Sequence, residues 1–357
     1  WLGSTSNYEV RSAWYGDAQG TDPGFEAPSS WRTNIALDLL TTKGYDFTVE
    51  YNRDQINEGV FYQDLGITQT GTLADGRGTY TGAGDFWLSN TELGDTEAIT
   101  FIMKKEWNDV KFMTAYTNMD ASDVYALTSA QAESAYGYQQ RWDGENMSAN
   151  RSSFMVEHKF LATLDYTTQL LGDNDTRFSL VFVRKAGEPY SVVFDEPGYN
   201  SVTGNSRFYA DYSLAYIPTG ASDPNVSFTS AAVATAVMAH VNSTGLSGYK
   251  GSHVPKNAFN SPWYSRLDLR ITQDIKVFGD TKLVVFLDVL NLLNMIDDEK
   301  GIVREYSYNN SRQIIVDGVT STGQFIISGV DPDDSLWIQN NDGQSAWNIN
   351  LGFKYQF

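Results

Sequence analysis

The chain has 357 residues and a net charge of −19, so it offers no basic stripe to neutralise nucleic-acid phosphates. Zero cysteines exclude a disulfide scaffold or a cysteine-ligated metal and suit an exported protein stabilised by sheet closure. Aromatics reach 14%, with 21 Tyr, 19 Phe and 9 Trp beside 30 Gly, a composition of many strands and turns with rings to spare for two membrane interfaces.

No run of about 18 apolar residues occurs, which argues against a transmembrane helix and says nothing about a barrel, whose signal is alternation. Trp1-Leu2-Gly3-Ser4 has neither the charged nor the apolar region of a secretory signal, and the chain is expected to be a piece of a longer protein. Residues 1–32, punctuated by Gly16, Gly20, Pro23, Gly24 and Pro28, read as a loop region with a strand hidden in 8–15. Ile35, Leu37 and Leu39 then alternate with Asn34, Ala36 and Asp38. The turn Thr42-Lys43-Gly44 leads into Tyr45, Phe47, Val49 and Tyr51, which makes a hairpin. Its second strand runs on past Phe61, longer than a bilayer requires.

Residues 68–94, rich in Gly, Thr and Asp, are expected to form a long loop. Strands follow at 99–103 and 110–118, joined at Asn108-Asp109, and then a polar excursion over 120–152. Another pair spans 154–166 and 178–182, turning at 172–175. In 187–262 an aromatic stretch, 208–217, precedes Ala231 to Val241, whose apolar spacing is helical. That helix, about 13 residues long, is too short to cross a membrane. The clearest hairpin follows. Leu267, Leu269, Ile271, Ile275 and Val277 oppose Arg266, Asp268, Arg270, Asp274 and Lys276, and after Gly279-Asp280 the chain returns over 283–293. Residues 297–346 are polar, with a small hairpin at 313–316 and 324–328.

The last strand, 347–357, puts Trp347, Ile349, Leu351, Phe353, Tyr355 and Phe357 on one face and Asn348, Asn350, Gly352, Lys354 and Gln356 on the other. Such a face needs an apolar solvent, either a second sheet or lipid. The spacing of Asn350, Gly352, Tyr355 and Phe357 resembles the C-terminal signal recognised by the bacterial barrel-assembly machinery. Short turns alternating with long polar stretches predict an all-β chain: about nine spanning antiparallel strands of a transmembrane β-barrel, with periplasmic turns and long extracellular loops, one holding a short helix. Parity sharpens this. With Phe357 at the periplasm, 187–262 must begin and end outside as one large excursion, so 208–217 is not a lone crossing.

Several stretches together resemble TonB-dependent outer-membrane receptors. They are Ser261-Pro262-Trp263, Leu267-Asp268-Leu269-Arg270, the run Phe286 to Asn294 and the closing strand. Arg32-Thr33-Asn34, Glu157-His158-Lys159-Phe160, 187–191, 214–218 and 249–251 add the order typical of the Oar-like branch, whose members usually carry a carboxypeptidase-regulatory-like domain. The resemblance covers the chain from about residue 31. It implies a 22-stranded barrel around a plug, of which 33–357 would be the C-terminal part, in the outer membrane of a Gram-negative bacterium. It also implies uptake of a bulky ligand, contact with the inner-membrane TonB complex through a missing N-terminal part, and contact with lipid and lipopolysaccharide. The alternatives are a passive porin-like or adhesin barrel and a soluble all-β binding protein.

Enzyme chemistry has little support. The three histidines, His158, His240 and His253, form no H-E-x-x-H motif, and no G-x-S-x-G occurs. The ladder Arg266, Asp268, Arg270, Asp274 and Lys276 would face the lumen, where it either guides a ligand or forms a satisfied charge network. Asp331, Asp333 and Asp334 offer hard oxygens for calcium, although solvated acidic loops have the same composition. No other cofactor is expected. The helix is either a mobile lid or packed against its own loops.

Overall fold

A computed structural model describes residues 18–357 except 83, 125–126, 128, 144–147, 197–201, 204–211, 280, 332–336 and 340–342. The chain is predominantly β, and nine long strands form an antiparallel meander. They are β1 (Ser29–Leu40), β2 (Tyr45–Asp64), β3 (Asp95–Trp107), β4 (Val110–Asp123), β5 (His158–Leu171), β6 (Asn174–Lys185), β7 (Tyr264–Lys276), β8 (Lys282–Leu290) and β9 (Asn348–Gln356). Each pairs with the next in chain order, and among the described residues the sheet is not closed, since β1 pairs only with β2 and β9 only with β8.

The four turns β1–β2, β3–β4, β5–β6 and β7–β8 are short and lie at one end of this meander, with Phe357. The connections 65–94, 124–157, 186–263 and 291–347 are long and lie at the other. The hairpin turn before β2 works because Gly44 takes φ 72°, a conformation that glycine adopts without steric cost. Lys185 at the end of β6 pairs directly with Tyr264 at the start of β7. The excursion 186–263 therefore leaves and returns at adjacent strand ends, as parity required. Of the aromatic stretch 208–217 the first four residues lie outside the described residues; Tyr216–Ile217 forms a two-residue ladder with Ser252–His253 and is no part of the nine-strand array.

Several boundaries differ from expectation. Segment 68–94 is not a loop: Ile67–Thr72 and Gly78–Gly82 form a hairpin, and Asp85–Thr91 pairs with the far end of β2. That overshooting strand presents unpaired backbone, and the buried rings Tyr80 and Phe86 anchor the segment. The presumed loop 1–32 contains Ala18–Thr21, paired parallel with 85–88, and the first residues of β1. The strand expected in 8–15 lies outside the described residues. The return strand ends at Leu290 rather than Leu293, because Asn291 takes the left-handed conformation (φ 54°) and starts the helical turn Leu292–Ile296.

The core is not in the nine strands. None of the largest fully buried side chains belongs to them. Instead Val192, Phe194, Ile217, Val237, Ile314, Phe325 and Ile327 pack together in a cap built from the long connections. A second sheet organises it, in the order Val226–Phe228, Phe325–Val330, Asn310–Val319, Pro189–Asp195, Phe259–Asn260. The expected hairpin near 313–328 is its centre. The helix spans Ala231–Ser243, opened by the Ser230 hydroxyl accepting from the Val233 amide at 3.2 Å. It buries Ala234, Val237 and Val241 in the cap, the packed alternative rather than a loose lid.

Candidate functional site

The nine-strand sheet has two chemically different faces. Register places Leu37, Val49, Phe101, Tyr116 and Phe160 in one cross-strand row, and Phe112, Leu164, Leu180, Leu269, Val289 and Ile349 in another. A third runs Tyr166, Phe178, Ile271, Leu287, Leu351. All share one face because side chains alternate. No layer covers the sheet ends of this face: Leu37 is 70%, Leu351 76% and Phe353 77% exposed. Rings and cations edge it at both ends. Near the short turns, the Lys105 ammonium lies 4.6 Å from the Tyr45 centroid and 5.9 Å from that of Trp107. Near the cap, Trp263 stacks on His158 at 5.8 Å with Arg184 at 5.3 Å. His158 also meets the Tyr116 hydroxyl at 2.9 Å, which holds its ring among these aromatic neighbours.

The opposite face carries the polar ladder. Arg266, Asp268, Arg270, Asp274 and Lys276 do share it, and ion pairs occupy four of them. Arg266 Nε donates to Asp268 at 2.8 Å, Arg270 grips Asp288 through two bonds of 2.5 and 2.7 Å, and Lys282 Nζ meets Asp274 at 2.6 Å. Asp268 also accepts from the Asn291 amide at 2.7 Å. This is the satisfied network, so the ladder presents few idle groups to a ligand.

Of the closing-strand residues, Asn350 pairs with Asp288 and Gly352 with Phe286, on the polar face, while Tyr355 lies on the apolar one with its ring 6.3 Å from that of the fully exposed Phe357. Gly352 is dictated by contact: a Cβ there would stand 2.4 Å from Phe286 Cζ. The Phe286 ring in turn lies 5.0 Å from the Arg270 guanidinium. Sequence spacing identified Gly352 but not the aromatic ring that needs it.

Asp333 and Asp334 lie outside the described residues, and among the described residues no cluster of acidic or imidazole groups is placed to hold a metal ion. Asp297 pairs with Lys300 at 3.0 Å instead.

The cap contains polar chemistry that sequence patterns missed. Arg77, fully buried, rises from the 73–77 turn against the adjoining Phe194 and Phe325 rings, with its carbon centre 5.6 and 4.9 Å from their centroids. Asp75 meets it at 2.8 Å and the Leu214 carbonyl accepts from it at 3.0 Å. Burial lowers the guanidinium's pKa, and Asp75 opposes that shift. His240 Nε2 lies 2.8 Å from Gln313 Oε1 and ties the helix to the cap sheet, and His253 stacks on Trp142 at 5.3 Å. Arg77 is a lone basic residue in a polar loop with no sequence periodicity, so nothing flagged it. No family model matches the chain, and no curated protein matches it in sequence.

Proposed function

We propose that the chain is the C-terminal part of a TonB-dependent outer-membrane receptor of the Oar-like type, which moves a bulky ligand across the outer membrane without covalent chemistry on it. One observation carries the reading: an apolar face running over nine strands whose ends no other layer covers among the described residues. Leaving Leu37, Leu39, Ile349, Leu351, Phe353 and Tyr355 in water forgoes on the order of 10 kcal/mol, at roughly 1.5–3 kcal/mol per large apolar side chain. That is comparable to a whole domain's stability of about 5–15 kcal/mol, so the face requires an apolar solvent. Lipid supplies it, and the rings and cations at the two ends suit two membrane–water interfaces. The unshared edges of β1 and β9 would be closed by further barrel strands.

In this reading the short turns are periplasmic, and the cap stands outside the cell, where its loops meet the ligand. The β9 pattern of Asn350, Gly352, Tyr355 and Phe357 is the assembly signal. The test is topological. Cysteine at exposed Ser243 on the cap helix should react with an impermeant maleimide added to intact cells. Labelling only after the outer membrane is permeabilised refutes the orientation, and a chain extracted without detergent refutes the barrel.

A further inference from the structure

The cross-strand row Leu37, Val49, Phe101, Tyr116 and Phe160 continues to a cation. Phe160 pairs directly with Arg184, so the arginine shares the apolar face. Alternation along β6 gives the same placement, because Phe178, Leu180 and Phe182 precede Arg184 at every second position. Arg184 is exposed and stands at the cap end of its strand.

A column of rings fixes its position. The guanidinium carbon lies 5.3 Å from the Trp263 centroid. Trp263 stacks on His158 at 5.8 Å and 6°, and His158 stacks on Tyr116 at 6.1 Å and 17°. These near-parallel rings come from β4, β5 and the residue before β7, so sheet pairing sets their spacing. The carboxylate beside the column, Glu157, stands 3.7 Å from His158 Nε2 and is held by Arg151 at 2.9 Å. Among the described residues no carboxylate or carbonyl takes the N–H donors of Arg184. The other end of the face differs, since the Lys105 ammonium there donates to the Lys43 carbonyl.

In water, an exposed guanidinium without a protein partner costs nothing. On a face turned to lipid it is tolerated only at the level of the headgroups, where an anion can meet it. We propose that Arg184, seated over Trp263, binds a phosphate of a lipid headgroup, and that the lipid is the phosphorylated glycolipid of the outer leaflet. The position selects that lipid, because the cap end lies outside the cell in the orientation given above. A guanidinium meets two phosphate oxygens at once, and the half-exposed Trp263 and Phe160 rings offer apolar surface to the chains below the headgroup. This inference rests on the reading of the apolar face as lipid-facing.

The test is native mass spectrometry of the full chain in detergent micelles, with lipid A as the probe and fully dephosphorylated lipid A as its control. Lipid A should bind at least about tenfold more tightly than the control, as expected for a charge-assisted hydrogen bond. Arg184→Gln should abolish that preference, and Arg184→Lys should keep part of it, because an ammonium retains the charge without the forked geometry. Arg177→Gln removes an exposed arginine from the opposite face, where Arg177 pairs with Thr272, and should leave the preference intact. Each preference is a ratio of two lipids on one preparation, so it does not depend on the fraction of a variant that folds. An unaltered chain without the preference overturns the proposal, as does a preference that survives Arg184→Gln or falls equally with Arg177→Gln. None of these outcomes alters detergent solubility or maleimide labelling, so failure of the lipid site and failure of the receptor reading are read separately.

Discussion

Gly352→Ala is the perturbation whose cost the geometry fixes best. The new methyl would sit 2.4 Å from Cζ and 2.9 Å from Cε1 of Phe286. Carbon atoms are at ease about 3.5–4.0 Å apart, so the ring has to retreat by more than about 1 Å. Its room is limited, because the Arg270 guanidinium 5.0 Å from its centroid is held by two short bonds to Asp288. Overpacking of this kind costs about 1–3 kcal/mol. Weakening the cation–π contact adds about 0.5–1 kcal/mol. We therefore expect Gly352→Ala to lose about 2–3 kcal/mol in urea unfolding, followed in lipid vesicles by the mobility difference between folded and unfolded chain. Phe286→Leu in the same background shortens the obstructing side chain and should recover at least about 1 kcal/mol, a coupling that a double-mutant cycle isolates. Strict additivity of the two substitutions would refute the contact as the reason for glycine.

On the apolar face, Leu351→Arg should cost about 2–4 kcal/mol for folding into vesicles, while Lys354→Leu on the polar face changes little; equal costs would contradict the lipid assignment. In the cap, Asp75→Ala strands the buried Arg77 charge and should loosen the cap by about 3–5 kcal/mol, read as faster hydrogen exchange at 192–194 and 325–327, whereas Arg77→Met should cost less. Burial works against the Asp223 carboxylate, but the Thr219 and Asn225 amides and the Thr219 and Tyr216 hydroxyls donate to it and hold its pKa below the usual range. Its stabilisation is therefore complete above the unfolded value of about 3.9 and disappears as pH falls through the lower folded value. Asp223→Asn should abolish that acid-side slope in cap proteolysis, and an unchanged slope would acquit the residue.

Alternation alone located the nine strands, because a strand with one polar and one apolar face writes its register directly into the chain. The turn at Gly44, the hairpin turning at Gly279 and the closing strand were legible for the same reason, as was the helix over Ala231 to Val241, though not its Ser230 cap or its buried Ala234, Val237 and Val241. The excursion 186–263 was legible by counting directions. What the sequence could not convey was how the long connections find one another. Phe194, Ile217, Val237, Ile314 and Phe325 lie far apart in the chain and form one core only after folding. The partner of Gly352, the seat of Arg77 and the placing of Arg184 over Trp263 are long-range contacts of the same kind. Local pattern specifies which side of a strand is apolar, since that depends on the next residue but one. A buried charge or a tight glycine is specified by a neighbour across the fold, and only the tertiary structure supplies that neighbour.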